Sequence, residues 1–193
     1  MRVNKHLILR LDVTGQPQKW IPWRLAVVLS TKDMIAWQAG VNAFKFRGGI
    51  NRQHRRRSLV EVKSIIAVKG TSRHKTWPSL VPPLSNRGLF LRDAHLCMYC
   101  GKQKPSELLT RDHLIPLSRG GTDTWKNVVT SCRQCNHSKG ARTPEEANLT
   151  LLAVPYVPNR AEYLVLSNRL ILADQMDFLR KSFRRGSRLA KYG

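Results

Sequence analysis

The chain has 193 residues and a mass of 22.1 kDa, room for one ordinary domain or two small ones, which excludes a large multidomain machine. Its 34 Lys and Arg against 12 Asp and Glu give a formal charge of +22, while 41% hydrophobic residues, five Trp and five Phe supply a core, so a disordered polycation is excluded. No run approaches the roughly 18 apolar residues of a membrane span. The start carries no secretory signal, so the expectation is a cytoplasmic protein. A polyanion is the expected partner, with no membrane and no obligate protein partner.

The charge is uneven. Residues 1–80 hold 16 basic and 3 acidic residues, residues 81–150 hold 10 and 6, and residues 151–193 hold 8 and 3. This suggests a basic N-terminal region (1–80) of mixed α/β structure that docks the polyanion, a central core (85–150), and a C-terminal helix with a basic tail (151–193). In the front, Leu7, Leu9 and Leu11 alternate with polar residues as a half-buried strand does, Ile8 being the exception, and Thr14 to Pro17 reads as a turn. Pro22 suits the first turn of a helix through Trp23 to Leu29. Phe44 to Gly49 and Arg52 to Arg57 show no sustained periodicity and read as a loop or arm, with Phe44, Phe46 and Trp77 available to stack on bases or to join the core. Val60, Val62, Ile65, Ile66 and Val68 suggest another strand, and Pro78, Pro82 and Pro83 a linker.

All four cysteines fall in the centre, as two Cys-x2-Cys knuckles, Cys97/Cys100 and Cys132/Cys135, separated by 31 residues. Two such knuckles can close a tetrahedral site with no open position, a structural Zn2+ site. Two disulfides fit poorly with a chain lacking an export signal, and four unrelated core thiols rarely take this spacing. Between the knuckles, Leu114-Ile115 and Val128 to Thr130 read as short strands flanking a loop with Gly120-Gly121. A short helix follows from about Cys132 and is stopped by Gly140. Thr143-Pro144-Glu145-Glu146 carries a capping box and predicts a further helix. Pro155 and Pro158 interrupt the chain. Asn159 then caps a C-terminal helix whose apolar residues, from Tyr163 to Leu179, recur near helical spacing. Arg92-Asp93 predicts a local ion pair.

The order Cys97-x2-Cys100-Gly101, Asp112-His113-x2-Pro116, Gly120-Gly121, Asn127, Cys132-x2-Cys135-Asn136 and Lys139-Gly140 resembles the HNH endonucleases of ββα-metal fold. Residues 1–80 are more loosely similar to the front of a bacterial subgroup of that family. The resemblance implies an α+β protein whose small zinc-braced ββα-metal core is flanked by a basic front and a C-terminal helix. It implies metal-dependent hydrolysis of DNA, read as duplex, with Mg2+ or Mn2+ as the catalytic ion. His113 is the expected general base, since a neutral imidazole can take a proton from water near neutral pH. Asp112 is a hard oxygen ligand. By resemblance, Asn136 is the second ligand and Asn127 orients His113. Many family members carry His at the position of Asn136. His137, the next residue, points about 100° away on a helix. Arg119 and Lys139 are expected to neutralise phosphate, and Arg55, Arg56 and Arg57 to bind the backbone of the nucleic acid. The rival readings are a zinc-containing DNA-binding module that does not cut, and an RNA-directed nuclease or binder.

Overall fold

The protein was described by a computed structural model covering residues 6–50, 52–53, 55–70 and 81–191. Trp77 and Pro78, singled out above, lie outside the described residues. The chain forms two compact units. The first comprises residues 1–77 and 168–182, the second residues 78–167 and 183–193, so the tail is shared between them. Among the described residues no helix is long and apolar enough to cross a membrane.

The first unit is a four-stranded sheet in the order β2-β1-β4-β3, with β1 (Leu7–Leu11), β2 (Pro17–Pro22), β3 (Ile35–Ile50) and β4 (Arg57–Val68). Strands β1 and β4 run parallel and the other pairs antiparallel. The crossover includes α1 (Trp23–Thr31), for which Pro22 is the N-cap residue just before the first turn. Ile8 breaks the alternation for a reason: β1 is buried on both faces. Leu9 and Leu11 share one face with Ile65 and Ala67 of β4, whereas Ile8 packs with Ile21, Ala26, Phe44, Val62 and Ile66.

Of the stretch expected to be a loop or arm, Phe44 to Gly49 and Arg57 are strand, the outer part of the β3–β4 hairpin, whereas the described residues 52, 53, 55 and 56 are turn or coil as expected. Phe44 and Phe46 face inward opposite Val62 and Val60, with Lys45 and Arg47 between them, and Phe46 stacks on Trp23 at 4.5 Å with planes 4° apart. The alternation was present but interrupted by bulges. At one of these, Gly40 has φ +92°. A Cβ there would fall on Ser64 Oγ and within 2.6 Å of Asp174 Oδ2.

The second unit begins with α2 (Asn86–Arg92), capped by Ser85 Oγ accepting from Gly88 N at 3.1 Å. After the first knuckle come the hairpin β5 (Leu109–His113) and β6 (Val128–Cys132), then α3 (Arg133–Lys139). The first of these strands ends at His113, so the predicted run Leu114-Ile115 lies just beyond it rather than in it. At residues 114–116 the chain turns, and Ile115 is exposed. The predicted capping box at Thr143 forms, with Thr143 N and Glu146 N bonded to each other's side chains at 3.0 and 3.3 Å. Only turns follow it, because Asn148 enters the left-handed region at φ 58°.

The predicted C-terminal helix is two helices, α4 (Arg160–Ser167) and α5 (Ala173–Arg180). Asn159 caps the first, its Oδ1 accepting from Glu162 N at 2.9 Å. At the break, Asn168 bonds locally to the backbone of Leu170, the competition with helical bonding that makes Asn a poor interior residue. The break lies where the chain passes from the second unit to the first. There α5 is fixed by Gln175 Nε2, which donates to Leu7 O and Ser64 O at 2.8 Å, and by Asp174, which accepts from Asn42 N and Ser64 Oγ at 3.0 and 2.7 Å.

Candidate functional site

The four Sγ atoms of Cys97, Cys100, Cys132 and Cys135 lie within 4.8 Å of one another, close to the roughly 3.8 Å that four sulfurs adopt about a zinc ion with Zn–S near 2.3 Å. Each knuckle is built by backbone. Gly101, at φ +69°, turns the first and donates to Cys97 O at 2.9 Å. Cys132 ends β6 and caps α3, its Sγ accepting from Cys135 N at 3.5 Å. Met98 N joins the first knuckle to β6 through Thr130 O at 2.8 Å.

The sulfurs are electrostatically unequal. Burial opposes ionisation of Cys97, but the N–H groups of Cys100, Cys132 and Tyr99 hold its thiol down to about 6. Burial and the neighbouring sulfurs push Cys135 up. Thiolates so close repel one another, and a divalent cation is the partner that lets all four ionise together. The donor set therefore fits Zn2+.

Asp112 and His113, the last two residues of β5, point to opposite faces as alternation requires. Asp112 faces inward and is 5% exposed. Its Oδ1 accepts from Lys139 Nζ at 3.0 Å and its Oδ2 from the Tyr99 hydroxyl. Lys139, expected to meet phosphate, is buried at 1% exposure and also donates to His113 O at 2.9 Å. Helix α3 turns it inward, where it neutralises Asp112. Asn136, on the same helix, sends Nδ2 to Thr110 Oγ1 at 2.9 Å and towards Arg111 O at 3.4 Å. Thr110 and Asp112 share a face of β5, so Asn136 and Asp112 belong to one layer. Among the described residues, Asn136 Oδ1 accepts no hydrogen bond. A carboxylate and an amide oxygen suit a hard divalent ion in kind, although the carboxylate is already matched by an ammonium.

On the other face, His113 Nε2 lies 2.9 Å from Asp123 Oδ1, and Arg111 Nη1 donates to Asp123 Oδ2. The Arg111 bond, with that of His113, holds the Asp123 carboxyl below the usual range. An ionised carboxylate only accepts, so a neutral His113 carries its proton on Nε2 and keeps its lone pair on Nδ1.

Asn127 touches the backbone after His113 rather than the imidazole. Its Oδ1 accepts from Ile115 N at 2.9 Å, and its Nδ2 donates to Ile115 O and Thr122 O at 3.0 and 2.9 Å. Arg119 is half exposed and paired with Glu146 at 2.6 Å. His137 is exposed on α3, while Arg55, Arg56 and Arg57 are exposed on the β3–β4 hairpin of the first unit.

The sequence reading missed Asp123, Arg111 and Tyr99. Arg111 could have been found as the i−2 neighbour of His113 on one strand face. It also gave Arg92–Asp93 too local a role. Both residues are fully buried, Arg92 donating to Asp93 and to the carbonyls of Trp125, Val128 and Tyr156. Asp93 in turn accepts from Thr130 N and from Arg188 at 2.9 Å. This hub fixes α2, β6 and the chain end to the layer that carries the first knuckle.

Strand, strand and helix thus form a β-β-α pattern beside a four-cysteine corner. Residues 97–152 match the family described as HNH endonuclease, and no curated protein matches the chain significantly. The chain therefore contains an HNH-type domain with a four-cysteine cluster able to coordinate a metal.

Proposed function

We propose that the protein is a metal-dependent endonuclease that hydrolyses DNA phosphodiester bonds, with a structural Zn2+ on the four cysteines and Mg2+ or Mn2+ as the catalytic ion. The observation that carries this reading is the strand-end pair: Asp112 on the α3 side and, beside it, His113 with its Nε2 tied to Asp123. In that state Nδ1 of His113 takes the proton of an attacking water, and Asp123 steadies the imidazolium that results. Arg111, bonded to the other oxygen of Asp123, holds that carboxylate in place beside the base. Asn127 holds the turn after His113 and so fixes where the base sits. Asp112 and Asn136 are the residues that would hold the divalent ion, which when bound supplies charge stabilisation to the phosphate and the leaving oxygen. The exposed Arg55, Arg56 and Arg57 and the basic front hold the DNA backbone.

One observation favours a second reading. Both oxygens of Asp112 already have donors in Lys139 and Tyr99, which suits a zinc-braced DNA-binding module that does not cut. Incubating the wild type and His113→Ala with supercoiled plasmid and with labelled RNA, in Mg2+, Mn2+ or EDTA, separates the readings. Plasmid cleavage that needs both the divalent ion and His113 is expected. Tight DNA binding with intact plasmid in every metal supports the module instead, and preferential RNA cleavage overturns DNA as the substrate.

A further inference from the structure

We infer that the outer end of the β3–β4 hairpin is a ribbon that enters the major groove of duplex DNA, an inference that rests on the reading of the protein as DNA-acting. Three features of the hairpin lead to this.

The first is reach. The last cross-strand pair anchored on α1 is Phe46 opposite Val60, with Phe46 stacked on Trp23. Pairing continues outward through Arg47 opposite Leu59 to Ile50 opposite Arg57. Four residues beyond the anchor extend about 14 Å at roughly 3.4 Å per residue. The major groove of B-form DNA is about 8.5 Å deep and about 12 Å wide, and it admits a two-stranded ribbon.

The second feature is charge. Residues 45–57 contain six Lys or Arg and no Asp or Glu. Lys45 is matched by Glu61 at 3.7 Å. Among the described residues, Arg47, Arg55, Arg56 and Arg57 take part in no ion pair, and all four are exposed. Arg55 has φ 47°, a left-handed conformation that Gly or Asn adopts at lower cost, yet the position carries a cation.

The third is the pattern of apolar exposure. Ile50 and Leu59 are 64% and 58% exposed among these arginines. Apolar side chains flanked by guanidinium groups match what the major groove offers: thymine methyl groups and guanine acceptor edges between two rows of phosphate. Gly49 has no atom within 4 Å of where a Cβ would sit, so backbone can approach the bases there. The A-form groove of duplex RNA is deep and narrow and would not admit such a ribbon.

The test uses the full-length zinc-loaded protein with His113→Ala as the background, so that DNA is bound without being cut. Two short duplexes of the same mixed sequence are compared, one unmodified and one with glucosylated hydroxymethylcytosines that fill the major groove, alongside netropsin to fill the minor groove. Binding to the glucosylated duplex is expected to weaken about tenfold or more, with netropsin having little effect. Adding Arg55→Ser, Arg56→Ser and Arg57→Ser is expected to make the dependence of log K on log salt shallower by about 2.7, at roughly 0.9 per lost phosphate contact. It should also erase the difference between the two duplexes. Zinc content and circular dichroism check that the triple variant is folded, and the comparison of duplexes does not depend on it. Equal binding to both duplexes, or loss only with netropsin, overturns the ribbon while leaving a DNA-binding protein. Absence of binding to unmodified duplex overturns the DNA reading itself, and the ribbon with it.

Discussion

The two units use charge in opposite ways. The first holds 19 basic and 5 acidic residues and no cysteine; the second holds 15 and 7, with all four cysteines. In the second, much of the charge is spent internally: Arg92 and Arg188 on Asp93, Lys139 on Asp112, Arg111 on Asp123, Arg119 on Glu146. In the first, the arginines of the β3–β4 hairpin face solvent, and the buried polar work falls to Asp174, Ser64 and Gln175. Net charge therefore says little about which cations are available to a polyanion. A lysine placed like Lys139 adds to the total yet is held by its own carboxylate.

The largest break in this comparison is expected from the metal. Structural zinc sites are worth on the order of 10 kcal/mol of folding free energy. Chelation or Cys135→Ser should therefore unfold the second unit, whose α3 starts at that corner, and abolish any cleavage. The strand signal of the first unit, which has its own core, should persist. Circular dichroism with zinc analysis measures both, and a folded Cys135→Ser protein without zinc would contradict the assignment.

Next in size is Lys139→Met. It strands the buried Asp112 carboxylate without its ammonium, and breaking such a pair costs about 3–5 kcal/mol, to be read from the denaturant midpoint. In the first unit, Gly40→Ala forces a Cβ onto Ser64 and Asp174 at φ +92° and is expected to cost about 1–3 kcal/mol with zinc content unchanged.

The smallest effect is on pH. Although burial opposes it, bonds from Asn42, Ser64 and Gln175 bring the Asp174 carboxyl below its ordinary value of 3.8. The folded state thus favours the ionised form. Its contribution to stability is present above pH 3.8 and fades as pH falls from there through the folded value. Asp174→Asn should flatten that acid limb of the stability curve in acid titration. An unchanged limb would remove Asp174 from the account.

Much of the core was legible because its signals are local. Two Cys-x2-Cys spacings fix where sulfurs converge, Gly140 stops α3, and Asn159 caps α4, all within a few residues. What was not legible depends on where the chain returns. Asp123 meets Arg111 and His113 only because the loop through Gly120-Gly121 folds back, and nothing in its own neighbourhood marks it. Lys139 looked like surface charge because helical phase alone cannot say which side packs on β5. The C-terminal pattern kept its apolar spacing across Asn168, so periodicity joined two helices that serve different cores. The capping box at Thr143 shows the converse, a correct start signal with too little sequence after it to propagate a helix.

The central claim is that the residues that cut are separate from those that hold. Duplex affinity and plasmid cleavage of His113→Ala, measured side by side with the wild type at equal zinc content, test it directly. The expected result is unchanged affinity with cleavage reduced by about 10²-fold or more. Cleavage at the wild-type rate, or cleavage and affinity falling together, would contradict it.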